Sequence, residues 1–283
     1  MSIQSNVFSL PLSKALPDLA SWTSCFASAE IPIRSDTAAS LEALRANEDA
    51  VDANLLGELI AGDPLMTLKL IAHAARQRRA SQLTDPETVT AAIVMLGISP
   101  FFRNFGPQPV VETHLQDQPE ALQGLLQVIR RSRRASEFAL AFAVHRMDNA
   151  TPVIHQAALL HDLAEMLLWV HAPALALQVH AAQRAQPTTR SAEIQRHLLH
   201  VELADLQQSL MKSWRLPELL TKVSDDKHAH HPSVRTVLLA VRLARHSEMS
   251  WDNPALHDDI EELSDLLQLS TASATALLHD IDD

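Results

Sequence analysis

A histidine followed by an aspartate, His161 and Asp162, lies inside the most apolar stretch of the chain, residues 157–170. At about 100° per residue, a continuous helix over this stretch places leucines and alanines on one broad side and His161, Asp162 and Glu165 together on the other. Ionisable groups within such a helix must be ion-paired, hydrogen-bonded or metal-bound. Imidazole and carboxylate also bind divalent metals, and a metal can activate water for hydrolysis of a phosphate ester. The pair is therefore the first candidate site.

Three further histidines could complete a metal site around this pair. His200 lies within a helix predicted over residues 191–214, and His228 and His230 lie in a histidine-rich loop that could bring imidazoles close to His161. Three or more protein ligands must converge from separate helices to hold a catalytic metal and leave a position open for water. The candidate metal ligands are therefore His161, Asp162, His200, His228 and His230. A solvent-exposed turn is the simpler interpretation of the loop, and a hydrogen-bonded structural pair is the simpler interpretation of the His-Asp pair.

A group of arginines forms a second candidate site. Arg130, Arg131 and Arg134 lie close together in residues 119–147, which are predicted to form one long helix. Guanidinium groups bind phosphates and carboxylates through paired hydrogen bonds, so these arginines could hold a phosphate-bearing ligand or an acidic partner. Arginines on the solvated face of a helix are the simpler interpretation. Arg131 could also be the charge partner that a buried Asp162 requires.

Helical spacing and capping residues recur along the chain and define the elements that must position these side chains. The Asp-Pro pairs at 63–64 and 85–86 each indicate an N-cap followed by the first helical residue, and the second of these helices stops at Gly97. The Thr-Pro pair at 151–152 likewise caps and begins the central helix, which runs on through residues 157–170. No stretch alternates in the manner of a strand. We therefore predict an all-α protein, a multi-helix bundle.

The composition supports this fold class. The 283 residues include 47% hydrophobic residues, enough to bury a large core, and the low count of 5 glycines and the absence of tyrosine favour helix over sheet. No low-complexity linker divides the chain. We expect one helical domain over residues 30–283, which includes the C-terminal helices, and an N-terminal extension over residues 1–29 that packs on the bundle.

Charge and cysteine content argue against several classes of function. The net charge of −11 opposes binding to a phosphate backbone, so nucleic acid is not an expected partner. The single Cys25 rules out an intrachain disulfide and a cysteine-rich zinc site, which fits a reducing compartment. No apolar run reaches the roughly 18 residues of a membrane span, and the first residues lack the basic segment of a secretory signal. We expect a cytoplasmic protein without a membrane partner.

Short motifs, in order along the chain, carry a resemblance to a known family. They are Leu-Gly-Glu-Leu-Ile-Ala-Gly-Asp-Pro-Leu at 56–65, Ala-Ala-Ile-Val-Met-Leu-Gly at 91–97, Ala-Leu-Leu-His-Asp-Leu at 158–163, His-Val-Glu at 200–202 and Trp-Arg-Leu-Pro at 214–217. Together they resemble the HDOD domain, a non-catalytic-looking branch of the HD superfamily of metal-dependent phosphohydrolases. The resemblance implies a helical bundle of the HD-domain type.

The resemblance also implies that the ligand set of an HD phosphohydrolase is incomplete in this chain. The superfamily uses a histidine on an earlier helix, the His-Asp pair and a distal aspartate. Arg131 stands in place of that first histidine, and residues 241–244, where the aspartate is expected, read Val-Arg-Leu-Ala. A cation at the first position would repel a metal ion, and an aliphatic group at the last would supply no ligand for it. We therefore predict no catalytic residue and no cofactor, with a bound divalent metal as the alternative.

The resemblance further implies a role in bacterial signal transduction. We expect a regulatory domain that acts by binding a signalling protein in trans, or a small phosphate-bearing ligand, rather than by catalysis. Two other functions stay open, a metal-dependent phosphohydrolase with an unusual ligand set and a nucleotide-binding module without turnover. Bound metal that depends on His161 would favour the first, and phosphate binding that depends on the arginines would favour the second.

Overall fold

The computed structural model describes residues 11–77 and 86–282, which form helices joined by short turns. The N-terminal part contains α1 (Leu19–Ser28), α2 (Ser35–Arg45), α3 (Ala53–Ala61), α4 (Pro64–Gln77), α5 (Val89–Leu96), α6 (Ile98–Asn104) and α7 (Val111–His114). The middle part contains α8 (Pro119–His145), α9 (Thr151–Leu159), α10 (Leu163–His171), α11 (Pro173–Ala185) and α12 (Ser191–Leu199). The C-terminal part contains α13 (Leu203–Ser213), α14 (Glu218–Val223), α15 (Pro232–His246), α16 (Ala255–Leu267) and α17 (Thr271–Asp282). Two short 3-10 segments, Glu48–Ala50 and Asp226–His228, complete the elements.

The all-α prediction is confirmed. The described residues contain no strand, and the one β-type contact among them is an isolated parallel bridge between Ile33 and Val110. None of the helices in the described ranges has both the length and the apolar character that crossing a membrane requires.

The N-terminal segment joins the core through α1, which packs on α13. Trp22 and Phe26 lie one turn apart on α1 and are fully buried, with their rings in edge-to-face contact at 5.3 Å. Trp22 Nε1 donates a hydrogen bond to the carbonyl of Leu199 at 2.9 Å, which satisfies a buried indole and fixes the end of α12. Residues 1–10 of the expected extension lie outside the described residues.

The two Asp-Pro pairs have different outcomes. Asp63 caps α4 as predicted, because its Oδ1 accepts the backbone N–H groups two and three residues ahead at 2.9 and 3.2 Å. Asp85 lies outside the described residues, and α5 starts later than predicted, with Thr88 as its N-cap. The Thr88 hydroxyl accepts a first-turn amide there, so the cap is a hydroxyl and not a carboxylate. Gly97 ends α5 as predicted, with a φ of +83° that favours glycine.

Helix α9 begins one residue earlier than its Thr-Pro pair predicts. Thr151 is the first helical residue and not the cap, because its hydroxyl donates to the carbonyl of Asp148 instead of accepting an amide. Pro152 then occupies the first turn, where its missing N–H removes no helical hydrogen bond. The carboxylate of Asp148 also accepts a hydrogen bond from the Ser233 hydroxyl at 3.0 Å, which ties the start of α9 to α15.

The longest helix, α8, carries the candidate arginines through the middle of the bundle. It spans 27 residues, ends shortly before the predicted end at Met147, and packs on α9, α10 and α15. The approach of α10 is close at Gly124, where an added Cβ would lie 2.5 Å from the indole ring of Trp169. Because α8 touches these three helices, a side chain that points inward from it can reach residues from all of them.

The central apolar stretch is not the continuous helix that its pattern predicts. Helix α9 ends before residues 160–162, which form a turn, and α10 begins after them. Leu160 and Asp162 have ψ values of 4° and 24°, which interrupt the helical path. The cause is tertiary, because Asp162 makes ion pairs with residues from distant helices that the local apolar pattern does not encode. The turn places His161 and Asp162 at the junction of α8, α15 and the 3-10 segment Asp226–His228.

Candidate functional site

An ion pair between Arg131 of α8 and Asp162 of the α9–α10 turn lies at the centre of the candidate site. Arg131 donates to Asp162 Oδ2 through Nε at 3.1 Å and Nη2 at 2.7 Å. The two side chains are 10% and 9% exposed, so little water competes with the pair. A buried carboxylate without a cation would be costly, and Arg131 removes that cost. The structure therefore gives Asp162 the charge partner that the sequence indicated.

Three more charged side chains extend this ion pair. Glu165 accepts a hydrogen bond from Arg131 Nη2 at 2.9 Å, and Glu248 Oε2 lies 3.9 Å from Arg131 Nη1. Arg245 Nη2 approaches Asp162 Oδ1 at 3.4 Å. Burial lowers the pKa of Arg131, but the surrounding carboxylates outweigh burial and raise its pKa above the usual value. The guanidinium therefore stays charged and holds α8, α10 and α15 together.

His161 bridges two carboxylates at the edge of this network. Its Nδ1 lies 3.1 Å from Asp162 Oδ1, and its Nε2 lies 3.2 Å from Asp226 Oδ1. Burial lowers the pKa of His161, but the two aspartates outweigh burial and raise it to about 9. Burial likewise raises the pKa of Asp162, while Arg131 and His161 hold it well below its usual value of 3.8. At neutral pH, His161 is a cation that donates from both ring nitrogens.

A cleft of about 230 Å³ opens beside His161. Its lining comes from the α9–α10 turn, α12, α13, α15 and the segment that follows α14. His161, Asp226, Glu202 and Asp205 all belong to this lining, and Asp205 pairs with Lys227, the residue after Asp226, at 3.0 Å. A ligand in the cleft would therefore contact the edge of the buried charge network without entering the core.

The other candidate metal ligands lie apart from the His-Asp pair. His200 ends α12 in a left-handed conformation, and its Nδ1 contacts the carbonyl of Leu16 at 3.0 Å. His228 is half exposed and contacts Asp225 Oδ2 at 3.1 Å, with the ring of His230 at 6.1 Å. Within residues 11–77 and 86–282, no group of three or more His, Cys, Asp or Glu side chains has an arrangement that could hold a metal ion.

The three candidate arginines of α8 point in different directions. Arg130 is exposed, whereas Arg131 is the centre of the buried network. Arg134 donates to both carboxylate oxygens of Asp282 at 2.7 Å and to the Ser247 hydroxyl at 3.0 Å. Arg134 therefore fastens the C-terminal helix α17 to α8 and α15. The structure does not join the three guanidinium groups in one binding surface.

Sequence reasoning missed three members of the network. Asp226 precedes the histidines in their loop, so a carboxylate and not an imidazole reaches His161. Arg245 lies one residue beyond the segment 241–244 that was compared with the superfamily, and Glu248 lies just beyond it. The acidic residues before the loop and the basic residues on α15 were visible signals. Their contacts join distant parts of the chain, and no local spacing encodes such contacts.

Comparison with known proteins agrees with this architecture. A model of the HDOD domain family matches residues 31–230. The chain is similar in structure to the MmoQ response regulator from Methylococcus capsulatus, with 19% identity, a TM-score of 0.65 and coverage of 89% of this chain and 99% of that one. It is also similar to a virulence factor from Campylobacter jejuni, with 16% identity, a TM-score of 0.64 and coverage of 94% of this chain and 92% of that one. At these identities the two structures show a shared fold alone.

No curated protein sequence gives a significant match. The family match nevertheless spans more than half of the chain and includes the segments that carry the Asp-Pro-Leu, Leu-Gly, His-Asp and Trp-x-Leu-Pro motifs. The described residues also form the helical bundle that those motifs imply. The chain therefore belongs to the HDOD domain family.

Proposed function

We propose that this protein is a non-catalytic regulatory domain that binds a signalling protein in trans through the cleft beside His161. The observation that carries the proposal is the ion pair between Arg131 and Asp162. In an HD phosphohydrolase the aspartate of the His-Asp pair binds a metal, whereas here it accepts two hydrogen bonds from a guanidinium. A cation supplied by the chain itself takes the place that a metal would need.

The residues present do not fit a divalent metal at this position. Arg131, His161 in its protonated form and Arg245 all lie within hydrogen-bond or ion-pair distance of Asp162. A metal bound to Asp162 would face three positive charges in a site with little water to screen them. A protonated imidazole has no lone pair to donate, so a metal would also have to displace the proton that Asp162 and Asp226 stabilise on His161. We therefore derive no hydrolytic step for this centre.

The cleft offers a physical route from binding to a change of conformation. Asp226 is half exposed and holds the segment after α14 against the α9–α10 turn through His161. A partner that engages Asp226 would weaken that contact and favour packings of the bundle in which this segment moves. Such a ligand acts by shifting populations, in proportion to its differential affinity for the two packings.

The charges favour a protein partner over a phosphate-bearing ligand. Arg131 and Arg134 are engaged in internal ion pairs, and the cleft presents carboxylates to solvent. A nucleotide phosphate would meet repulsion there and would have to compete with Asp162 and Asp282 for the guanidinium groups.

One experiment tests the absence of catalysis. The purified full chain is incubated with Mn²⁺, Fe²⁺, Ni²⁺ or Zn²⁺, passed over a desalting column and assayed for bound metal and for hydrolysis of bis(p-nitrophenyl) phosphate. We expect no stoichiometric metal and no turnover above that of the His161→Ala variant. Stoichiometric metal and turnover, both lost in His161→Ala, would overturn the proposal.

A second experiment tests partner binding. The tagged full chain is expressed in its native cell, crosslinked, and its co-purifying proteins are compared with those of Asp226→Ala. A charge variant on α16, Asp265→Asn, is the matched control, because its exposed side chain lies outside the cleft. We expect at least one partner that is retained by wild type and Asp265→Asn and lost with Asp226→Ala. Identical sets of partners for all three chains would contradict a role for the cleft.

A further inference from the structure

We propose that the cleft beside His161 recognises an organic cation, an alkylammonium or a guanidinium group. The inference rests on the proposed function, because it assigns a ligand chemistry to the same cleft. It goes further in stating the sign of the charge and the hydrogen-bonding character that a ligand must have.

The lining of the cleft has an excess of negative charge. Six carboxylates line it, whereas the basic groups in the lining are His161, Lys227 and Arg245. Arg131 and Arg196 lie just outside the lining and pair with carboxylates in it, which offsets most of the excess but does not reverse its sign. The whole chain carries a net charge of −11, so the long-range field also draws cations toward the surface.

Two buried polar side chains in the lining lack partners, and one of them points to a ligand independently of the charge. Gln207 is 5% exposed, and its side-chain amide makes no hydrogen bond to any described residue. Ser224 is 3% exposed, and its Oγ likewise has no hydrogen-bond partner among the residues that the structure describes. Buried polar groups normally have partners, so the Gln207 amide, which lines the cleft without one, indicates a bound ligand.

The chemistry of these groups fits a cation with several N–H donors. The amide oxygen of Gln207 can accept hydrogen bonds from such a ligand, whereas the Ser224 hydroxyl is enclosed by protein and does not face the open cleft. Glu202 and Asp205 are partly exposed in the same lining and pair with Arg196 and Lys227. Both of these basic side chains are more than half exposed, so water screens the two pairs and a bound cation can replace either of them. An ammonium offers three donors and a guanidinium five, so either group can bind a carboxylate and a neutral acceptor together.

Other small ligands fit the cleft less well. A phosphate would bring further negative charge to a lining that already has an excess of it. A divalent metal needs three or more donors that converge on one point, and the described residues hold no such group. An extended organic cation makes separate contacts across the cleft and therefore needs no convergence.

The cation could come from two sources, a free polyamine or the side chain of an arginine or lysine on a partner protein. Isothermal titration of the full chain with agmatine, with spermidine and with the blocked peptide acetyl-Gly-Arg-Gly-amide separates them. We expect saturable binding with one site for at least one of these probes. Tighter binding of the peptide would assign the cleft to a partner's side chain, and binding of the amines alone would assign it to a free polyamine.

Variants then locate the binding. Asp205→Asn removes one half-exposed carboxylate, and Gln207→Leu removes the unpartnered amide with little change of volume. Each should weaken binding about tenfold, the loss expected for one charge-assisted hydrogen bond, whereas Asp265→Asn on α16 should leave binding unchanged. The Asp205 change lies on a partly exposed side chain, so folding of that variant is secure, and circular dichroism checks the Gln207 variant.

Three results would overturn the inference. They are no saturable binding of any of the three cations, equal binding by Asp205→Asn and Asp265→Asn, or stronger binding of inorganic phosphate or Mn²⁺ in the same cleft. Failure of the inference can be told from failure of the proposed function. If cations do not bind but the crosslinked partner is still lost with Asp226→Ala, the regulatory role stands and only the ligand chemistry is wrong.

Discussion

The raised pKa of His161 predicts that the protein loses stability as the pH rises above neutral. The pKa rises on folding from 6.5 to about 9 because Asp162 and Asp226 bind the protonated ring more strongly than burial opposes it. Each pKa unit corresponds to about 1.4 kcal/mol. At a pH low enough to protonate the ring in both the folded and the unfolded protein, this shift adds about 3 kcal/mol to the free energy of unfolding. That contribution is complete below the unfolded pKa of 6.5 and is lost as the pH rises through about 9.

The loss of stability that can be measured above neutral pH is somewhat smaller than this full contribution. Asp226 is 47% exposed, so water screens its share of the interaction, and part of the loss already falls below neutral pH. From about pH 7 to about pH 9.5 the free energy of unfolding should fall by about 2 kcal/mol through His161. Burial lowers the pKa of His73, His155 and His171, so these rings affect stability on the acid side and leave this window clear.

Urea unfolding followed by circular dichroism, at closely spaced pH values across this window, tests the prediction. Wild type should show the loss, and His161→Gln should be less stable near neutral pH and lose distinctly less stability across the window. His228→Gln is a matched control, since His228 also contacts an aspartate but is half exposed, and it should keep the wild-type slope. Equal slopes for wild type and His161→Gln would refute the reasoning from the two aspartate contacts.

Three other substitutions have expected effects on the free energy of unfolding, each measured by urea unfolding. Arg131→Met should cost about 3–5 kcal/mol because it leaves Asp162 buried without its main cation. Adding Asp162→Leu should recover much of the loss, and no recovery in the double variant would contradict this argument. Gly124→Ala should cost about 1–3 kcal/mol because its Cβ would lie 2.5 Å from the Trp169 ring. The control Gly62→Ala should be nearly neutral because the nearest neighbour of its Cβ is at 3.7 Å, and equal costs for the two variants would contradict the packing argument. Asp282→Asn should cost no more than about 1 kcal/mol because its ion pair with Arg134 is partly exposed. The same change should speed amide hydrogen exchange in α17, and unchanged exchange would argue that this pair does not hold α17 in place.

Local capping chemistry made part of the fold predictable. Asp63 caps α4 and Gly97 ends α5 because each acts on amides or dihedral angles within a few residues of itself. The long α8 was predictable for a similar reason, since its apolar spacing and its initial proline lie within one segment. The all-α class and the family followed from such local features and from the order of the motifs.

The break in the central stretch was not predictable in this way. Residues 158–163 and 276–281 have nearly the same sequence, Ala-Leu-Leu-His-Asp-Leu and Ala-Leu-Leu-His-Asp-Ile. The second copy lies within the continuous helix α17, whereas the first contains the turn between α9 and α10. The difference is the surroundings, because Arg131 and Asp226 contact the first copy and no local pattern records their positions. The same limit applies to the histidine-rich loop, which the sequence left open as a source of an imidazole near His161, whereas the carboxylate of Asp226 makes that contact.

The guanidinium at the centre of the bundle has a consequence for how the protein can be controlled. A metal can be removed by a chelator or exchanged, but Arg131 is a covalent part of the chain and keeps its proton at any physiological pH. The positive charge at the centre of the network is therefore always present. Under the proposed function, a partner would therefore act at the edge of the network, where half-exposed Asp226 contacts His161, through contacts that can break and form again.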